Sequence, residues 1–176
     1  MLELRIIIVL LLAGIFLQDL IHRAVYWFLF PLLAALFLVL NVLDSIPLKE
    51  ILLTTAINFV FLFLQWLLVS AYFSLKQKSW VNITAHLLGW GDVLFLLTLC
   101  FYVSVLNLLF FYMTSLVLIL MIWAVGQKTS LIKSKKIPLA GLQSLIFALY
   151  LALDWCSSTV NLTNDYWLLH LMTKWT

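Results

Sequence analysis

Long, uninterrupted apolar runs constrain this chain more than any other feature. "RIIIVLLLAGIFLQ", "FLFPLLAALFLVLNVL", "ILLTTAINFVFLFLQWLLVSAYF" and "DVLFLLTLCFYVSVLNLLFFYMTSLVLILMIWAV" are separated only by short polar segments. A water-facing surface needs about a quarter of its residues charged. Here 10% are charged, 66% are hydrophobic and mean hydropathy is +1.18. The chain therefore reads as an integral membrane protein. Strands of a membrane barrel would alternate apolar and polar residues, whereas these runs are continuous, so the expected class is all-α.

A helix needs about 20 apolar residues to cross about 30 Å of hydrocarbon. Candidate spans run from about Ile6 to Leu20, Ala24 to Val42, Ile51 to Phe73 and Ile137 to Trp155. The block from Leu87 to Val125 would form a helix about 58 Å long, nearly twice the membrane thickness. It divides into two spans with a tight turn near Ser104 to Asn107. The tail "NLTNDYWLLHLMTKWT" is too polar to cross, and its Trp and Tyr suit an interface. The start, "MLELR", has no clear cleavage site after its apolar region, and is expected to be a retained first helix.

Charge orients this arrangement. With six spans, Arg23, Lys76, Lys78, Lys128, Lys133, Lys135 and Lys136 share one side. Arg5, Lys49 and Lys174 lie on the other, with Glu3, Asp44, Glu50, Asp154 and Asp165. Basic residues collect on the cytoplasmic side. The expectation is one membrane-embedded domain, residues 1–176, with six spans and both termini on the non-cytoplasmic side of the inner (plasma) membrane. The net charge of +3 is too small to point to nucleic acid. The segment from Lys128 to Lys136 is expected to contact anionic lipid. Cys100 and Cys156 form no CxxC pair, so neither a metal site nor a disulfide framework is read.

Two acids remain, and both fall on the cytoplasmic side: Asp19 in "FLQDLIHR" and Asp92 in "GWGD". A carboxylate at the bilayer centre costs about 2.5–3.5 kcal/mol, less near the interface. Two that meet cannot both ionise easily, and share a proton. The ionised partner can activate a water while the protonated one polarises a peptide carbonyl, with no metal or other cofactor. Gly89 and Gly91 clear side chains from beside Asp92 and permit conformations other residues resist. Simpler roles stay open at this point. Asp19 and Arg23 are placed for a helix-end ion pair. Asp92 suits a helix N-terminus, and the glycines suit a loop or a close helix contact. His22 and His86 flank the proposed site as interfacial residues.

Three stretches resemble the type IV prepilin peptidase family of membrane aspartic proteases: "DLIHRAV" (Asp19 to Val25), "GWGD" (Gly89 to Asp92), a match to GxGD, and "IPLAG" (Ile137 to Gly141). The resemblance covers nearly the whole chain and implies a six-helix core. It also implies an endopeptidase that removes short basic leaders from prepilin-like or pseudopilin-like membrane substrates at the cytoplasmic face. Carried over, Asp19 and Asp92 are the catalytic pair, and Gly89, Gly91 and Arg23 shape the site. The chain departs from the family at Leu94, where a Lys is usual, and at Tyr26, where a Pro is usual. The family's cysteine-containing cytoplasmic domain is not seen, so methyl transfer is not expected. Two other functions stay open: an inactive relative serving as a membrane scaffold, and a small proton-coupled carrier using the same two aspartates.

Overall fold

The computed structural model describes residues 1–77, 89–128, 138–156 and 160–174. Lys78, Asn82, His86, Lys133, Lys135, Lys136 and Ile137 lie outside the described residues. Among those described there are seven helices and no strand: α1 (Leu2–His22), α2 (Leu29–Leu43), α3 (Leu48–Gln77), α4 (Trp90–Leu99), α5 (Val105–Lys128), α6 (Leu139–Cys156) and α7 (Tyr166–Lys174). Helices α1, α3, α5 and α6 are long and apolar enough to cross a membrane; α2 and α4 are apolar but shorter.

Each of the six expected apolar spans contains a helix, but two boundaries differ for physical reasons. The second helix begins at Leu29 rather than Ala24. Pro31 has no N–H and its ring collides with a preceding turn, so it is tolerated in the first turn of a helix and disruptive further in. A start at Leu29 puts Pro31 in that first turn. The break in the long block falls at Cys100 to Ser104, ahead of the expected Ser104 to Asn107. Ser104 and Asn107 serve instead to start α5. The Ser104 hydroxyl donates to Asp165 Oδ1 at 2.6 Å, and the Leu106 and Asn107 amides donate to the same oxygen at 3.2 and 3.3 Å. A carboxylate thus meets the positive end of the helix dipole.

The turn itself is apolar, and its carbonyls are met by other helices. Asn41 of α2 donates to Phe101 O at 2.7 Å, and Asn58 of α3 donates to Val103 O at 2.7 Å. Irregular backbone inside a membrane protein is tolerated only where protein satisfies it, and these two asparagines do so here. Asn58→Leu is expected to lower stability by about 2 kcal/mol by stranding a buried carbonyl. Thermal unfolding in detergent checks this, and an unchanged transition would mean that the turn holds itself.

Helix α6 is the axis of the bundle. Its Phe147 meets Phe37 of α2, Phe95 of α4 and Phe111 of α5 edge-on, at centroid distances of 5.9, 6.3 and 5.2 Å. All four rings are fully buried, and edge-to-face pairs are the favoured aromatic geometry. Helix α1 runs antiparallel to α6 along its length. Asp19 meets Gly141 at one end, and Arg5 stacks on Trp155 at the other, 5.2 Å from the ring centre. Helix α4 runs parallel to α6: Gly91 lies beside Ala140, and past the end of α4 the Tyr102 hydroxyl donates to Asp154 at 3.0 Å. The first turn of α4 is therefore held against the first turn of α6, at the end where α1 finishes.

Candidate functional site

Three helix ends converge there. Asp19 sits in the last turn of α1 and is buried, 8% exposed. The helix stops one turn later at Arg23, whose backbone is left-handed (φ 53°, ψ 28°) and whose N–H donates to Asp19 O at 3.0 Å. A side-chain-bearing residue adopts that conformation at a cost of about 1–2 kcal/mol. Arg23 thus ends α1 directly after the carboxylate, with its guanidinium in electrostatic range of Asp19. His22, in the same last turn, is exposed.

Asp92 lies in the first turn of α4. Its Oδ2 accepts from the Gly89 amide at 3.1 Å, so it caps its own helix. The Ala140 amide of α6 and the Asp19 carboxylate both lie in electrostatic range of it. Asp19 Oδ2 in turn accepts from the Gly141 amide at 2.6 Å. Asp19 is bound to one amide of the α6 N-terminus and Asp92 lies in electrostatic range of the amide before it, so the two acids, remote in sequence, approach the consecutive residues Ala140 and Gly141. Those residues have Cα atoms about 3.8 Å apart. The first amides of a helix have no partner within it and carry its positive dipole end. Here Asp19 supplies the acceptor for Gly141.

The glycines divide differently from the sequence-based expectation. No described glycine has a positive φ, and Gly89 is extended (φ −70°, ψ 143°), a conformation open to any residue. Unusual backbone conformation is therefore not the reason for the glycines of "GWGD". A Cβ at Gly91 would make only ordinary contacts, at 3.8 Å to Ala140 and 3.9 Å to Phe30. One at Gly89 would press on Asp92 Oδ2 at 3.2 Å. The demanding position is Gly141, where a Cβ would stand 2.9 Å from Asp19 Cβ, 3.1 Å from its Oδ2 and 3.2 Å from the Phe16 carbonyl. Reasoning from the sequence picks out the stretch "IPLAG" that contains Ala140 and Gly141 but gives neither residue a role in the site. The signal that was present is a pair of small residues just after a proline, where α6 opens.

Leu94, at the position where a lysine was noted as usual, is half-buried against the hydrophobic core. Tyr26 is exposed and stacks on Phe28 at 5.7 Å. Both cysteines are free, Cys100 buried and Cys156 exposed. Among the described residues no three His, Cys, Asp or Glu side chains are grouped to hold a metal. Set against protein-family models, curated proteins and solved structures, the chain matches none.

Proposed function

We propose that this chain is a membrane aspartic endopeptidase of the prepilin peptidase kind, with Asp19 and Asp92 as its catalytic pair. One observation carries the reading: at the start of α6 the Asp19 carboxylate is bound to the Gly141 amide with Asp92 in electrostatic range of it. Within the pair, the ionised carboxylate takes a proton from a water as that water attacks the scissile carbonyl. The protonated carboxyl donates to the carbonyl oxygen as charge develops there. The Gly89 and Gly141 amides hold the two groups in place before substrate arrives. Gly89 and Gly141 keep the space around the carboxylates clear, and Arg23 ends α1 beside them. A cation beside Asp92 is not part of this chemistry, which is compatible with Leu94.

The same reading makes the bundle a six-crossing inner-membrane protein with the carboxylates at the cytoplasmic end. The 10 residues of α4 rise only about 15 Å, less than the hydrocarbon thickness. Extended by its turn, however, the segment follows α6 from Ala140 to Asp154. The site end is also the end where Arg23 closes α1 and Lys76 nears the end of α3. In a variant lacking Cys100 and Cys156, a membrane-impermeant maleimide applied from the non-cytoplasmic side is expected to label Glu3→Cys and spare Lys76→Cys. The reverse pattern would invert the topology.

The substrate class is a single-span protein with a short basic leader preceding its apolar helix. The direct test supplies such a substrate to the purified protein in lipid nanodiscs and looks for the new N-terminus by mass spectrometry. Cleavage by the wild type, lost in Asp19→Asn and in Asp92→Asn, is the expected result. Equal behaviour of all three proteins would end the proposal.

A further inference from the structure

At the end of the bundle opposite Asp19 and Asp92, the start of α1 and the last turn of α6 border an open crevice of about 390 Å3. Leu2, Ile6, Val9 and Leu10 line it from α1, and Trp155 from α6. These α1 positions recur every three or four residues and so share one helix face. They form an apolar wall about 12 Å long. All four are exposed, from 38% at Val9 to 73% at Leu2, so in a bilayer the wall meets acyl chains. One cation stands in this lining, Arg5.

The bonding of Arg5 is incomplete. Its guanidinium lies over the Trp155 ring, and its Nε is buried with no acceptor among the described residues. Asp154, the residue before Trp155, is in electrostatic range, but both its oxygens are engaged. Oδ2 accepts from the Tyr102 hydroxyl at 3.0 Å and Oδ1 from the Leu162 amide at 2.9 Å. Glu3 is exposed and, two residues from Arg5, lies on another side of α1. Stacking on an aromatic ring holds the planar guanidinium fork without using its in-plane N–H donors. Such a fork matches two oxygens of a phosphate. A tryptophan and a long basic side chain near helix ends belong at the headgroup level of a bilayer. A phospholipid presents there an anionic acceptor for Arg5 and, just below it, an acyl chain for the apolar wall. We infer that the α1–α6 crevice binds one glycerophospholipid, its phosphodiester on Arg5 and one acyl chain running inward past Ile6, Val9 and Leu10. This site is separate from the two aspartates and does not rest on the peptidase reading.

The test places the full-length protein in nanodiscs containing phosphatidylglycerol with a photoactivatable diazirine on one acyl chain. After irradiation, adducts are located by mass spectrometry. Labelling between Leu2 and Leu10 is expected to exceed labelling of Leu52, Leu53 and Val60, exposed positions of α3 outside the crevice. A diacylglycerol with the same diazirine chain and no phosphate is expected to show no such excess. Arg5→Gln removes the cation and is expected to cut the excess about tenfold, the loss of a charge-assisted hydrogen bond. Ile6→Trp fills the crevice from a half-exposed position, keeps Arg5, and is expected to cut it as well. Unfolding curves accompany both variants; if Arg5→Gln does not fold, Ile6→Trp decides. Uniform labelling of all lipid-facing helices would overturn the inference, as would equal labelling by the phosphate-free probe or an excess that survives the substitutions. So would p-benzoylphenylalanine at Leu10 capturing a second copy of the chain in place of lipid.

Discussion

Asp92→Asn is expected to leave the bundle folded and to slow leader cleavage about a thousandfold. The side-chain carbonyl of asparagine still accepts from Gly89, the amide that holds Asp92. The first turn of α4 and its seat on α6 are therefore preserved. What is lost is the ability to take or give a proton. Asp19→Asn follows the same logic, because an amide oxygen can still accept from Gly141. If the two acids work as one unit, the double variant is no slower than either single one, since groups acting together contribute non-additively. A purely structural role for the pair predicts otherwise: the asparagine variants would keep their caps and cleave at close to the wild-type rate. Unfolding curves taken beside the cleavage rates separate the two cases.

Gly141→Ala is the second large effect, and it comes from packing. The added methyl carbon would stand 2.9 Å from Asp19 Cβ and 3.2 Å from the Phe16 carbonyl oxygen. The carbonyl belongs to the backbone of a packed helix and cannot swing aside, so α1 and α6 must separate or Asp19 must move. Overpacking of this kind costs about 1–3 kcal/mol. Moving a catalytic group by about 1 Å costs about a hundredfold in rate. The expected result is a lower unfolding temperature together with a loss of cleavage on that scale. Gly91→Ala is the matched control: its Cβ meets neighbours at 3.8 Å and beyond, so cleavage and stability are expected to change little. If Gly91→Ala proved the more damaging of the two, the packing account of the α1–α6 contact would be wrong.

The positions of greatest consequence were unequally visible in the sequence. Asp19 and Asp92 stood out because a carboxylate in an apolar run is costly wherever it lies, and the charge of the loops placed both on one side. Gly141 gave no such signal. Its importance depends on how near α1 comes, and a glycine near a helix start reads the same whether or not another helix presses on it. The turn between α4 and α5 was misplaced for a related reason. The polar residues Ser104 and Asn107 look like turn residues, yet they open α5, donating to the carboxylate of Asp165, far along the chain. The apolar stretch before them turns because Asn41 and Asn58 reach it from other helices.

Composition and the length of the apolar runs were enough to determine an all-helical chain suited to a bilayer, because hydrophobic transfer and backbone hydrogen bonding are satisfied within each segment. Pro31 set a helix boundary through its missing N–H, again a local effect. Which helix ends meet was decided only in three dimensions. The meeting of Asp19 and Asp92 at the first turn of α6 depends on α1, α4 and α6 docking in one register, and close packing between remote segments, rather than any local preference, selects it.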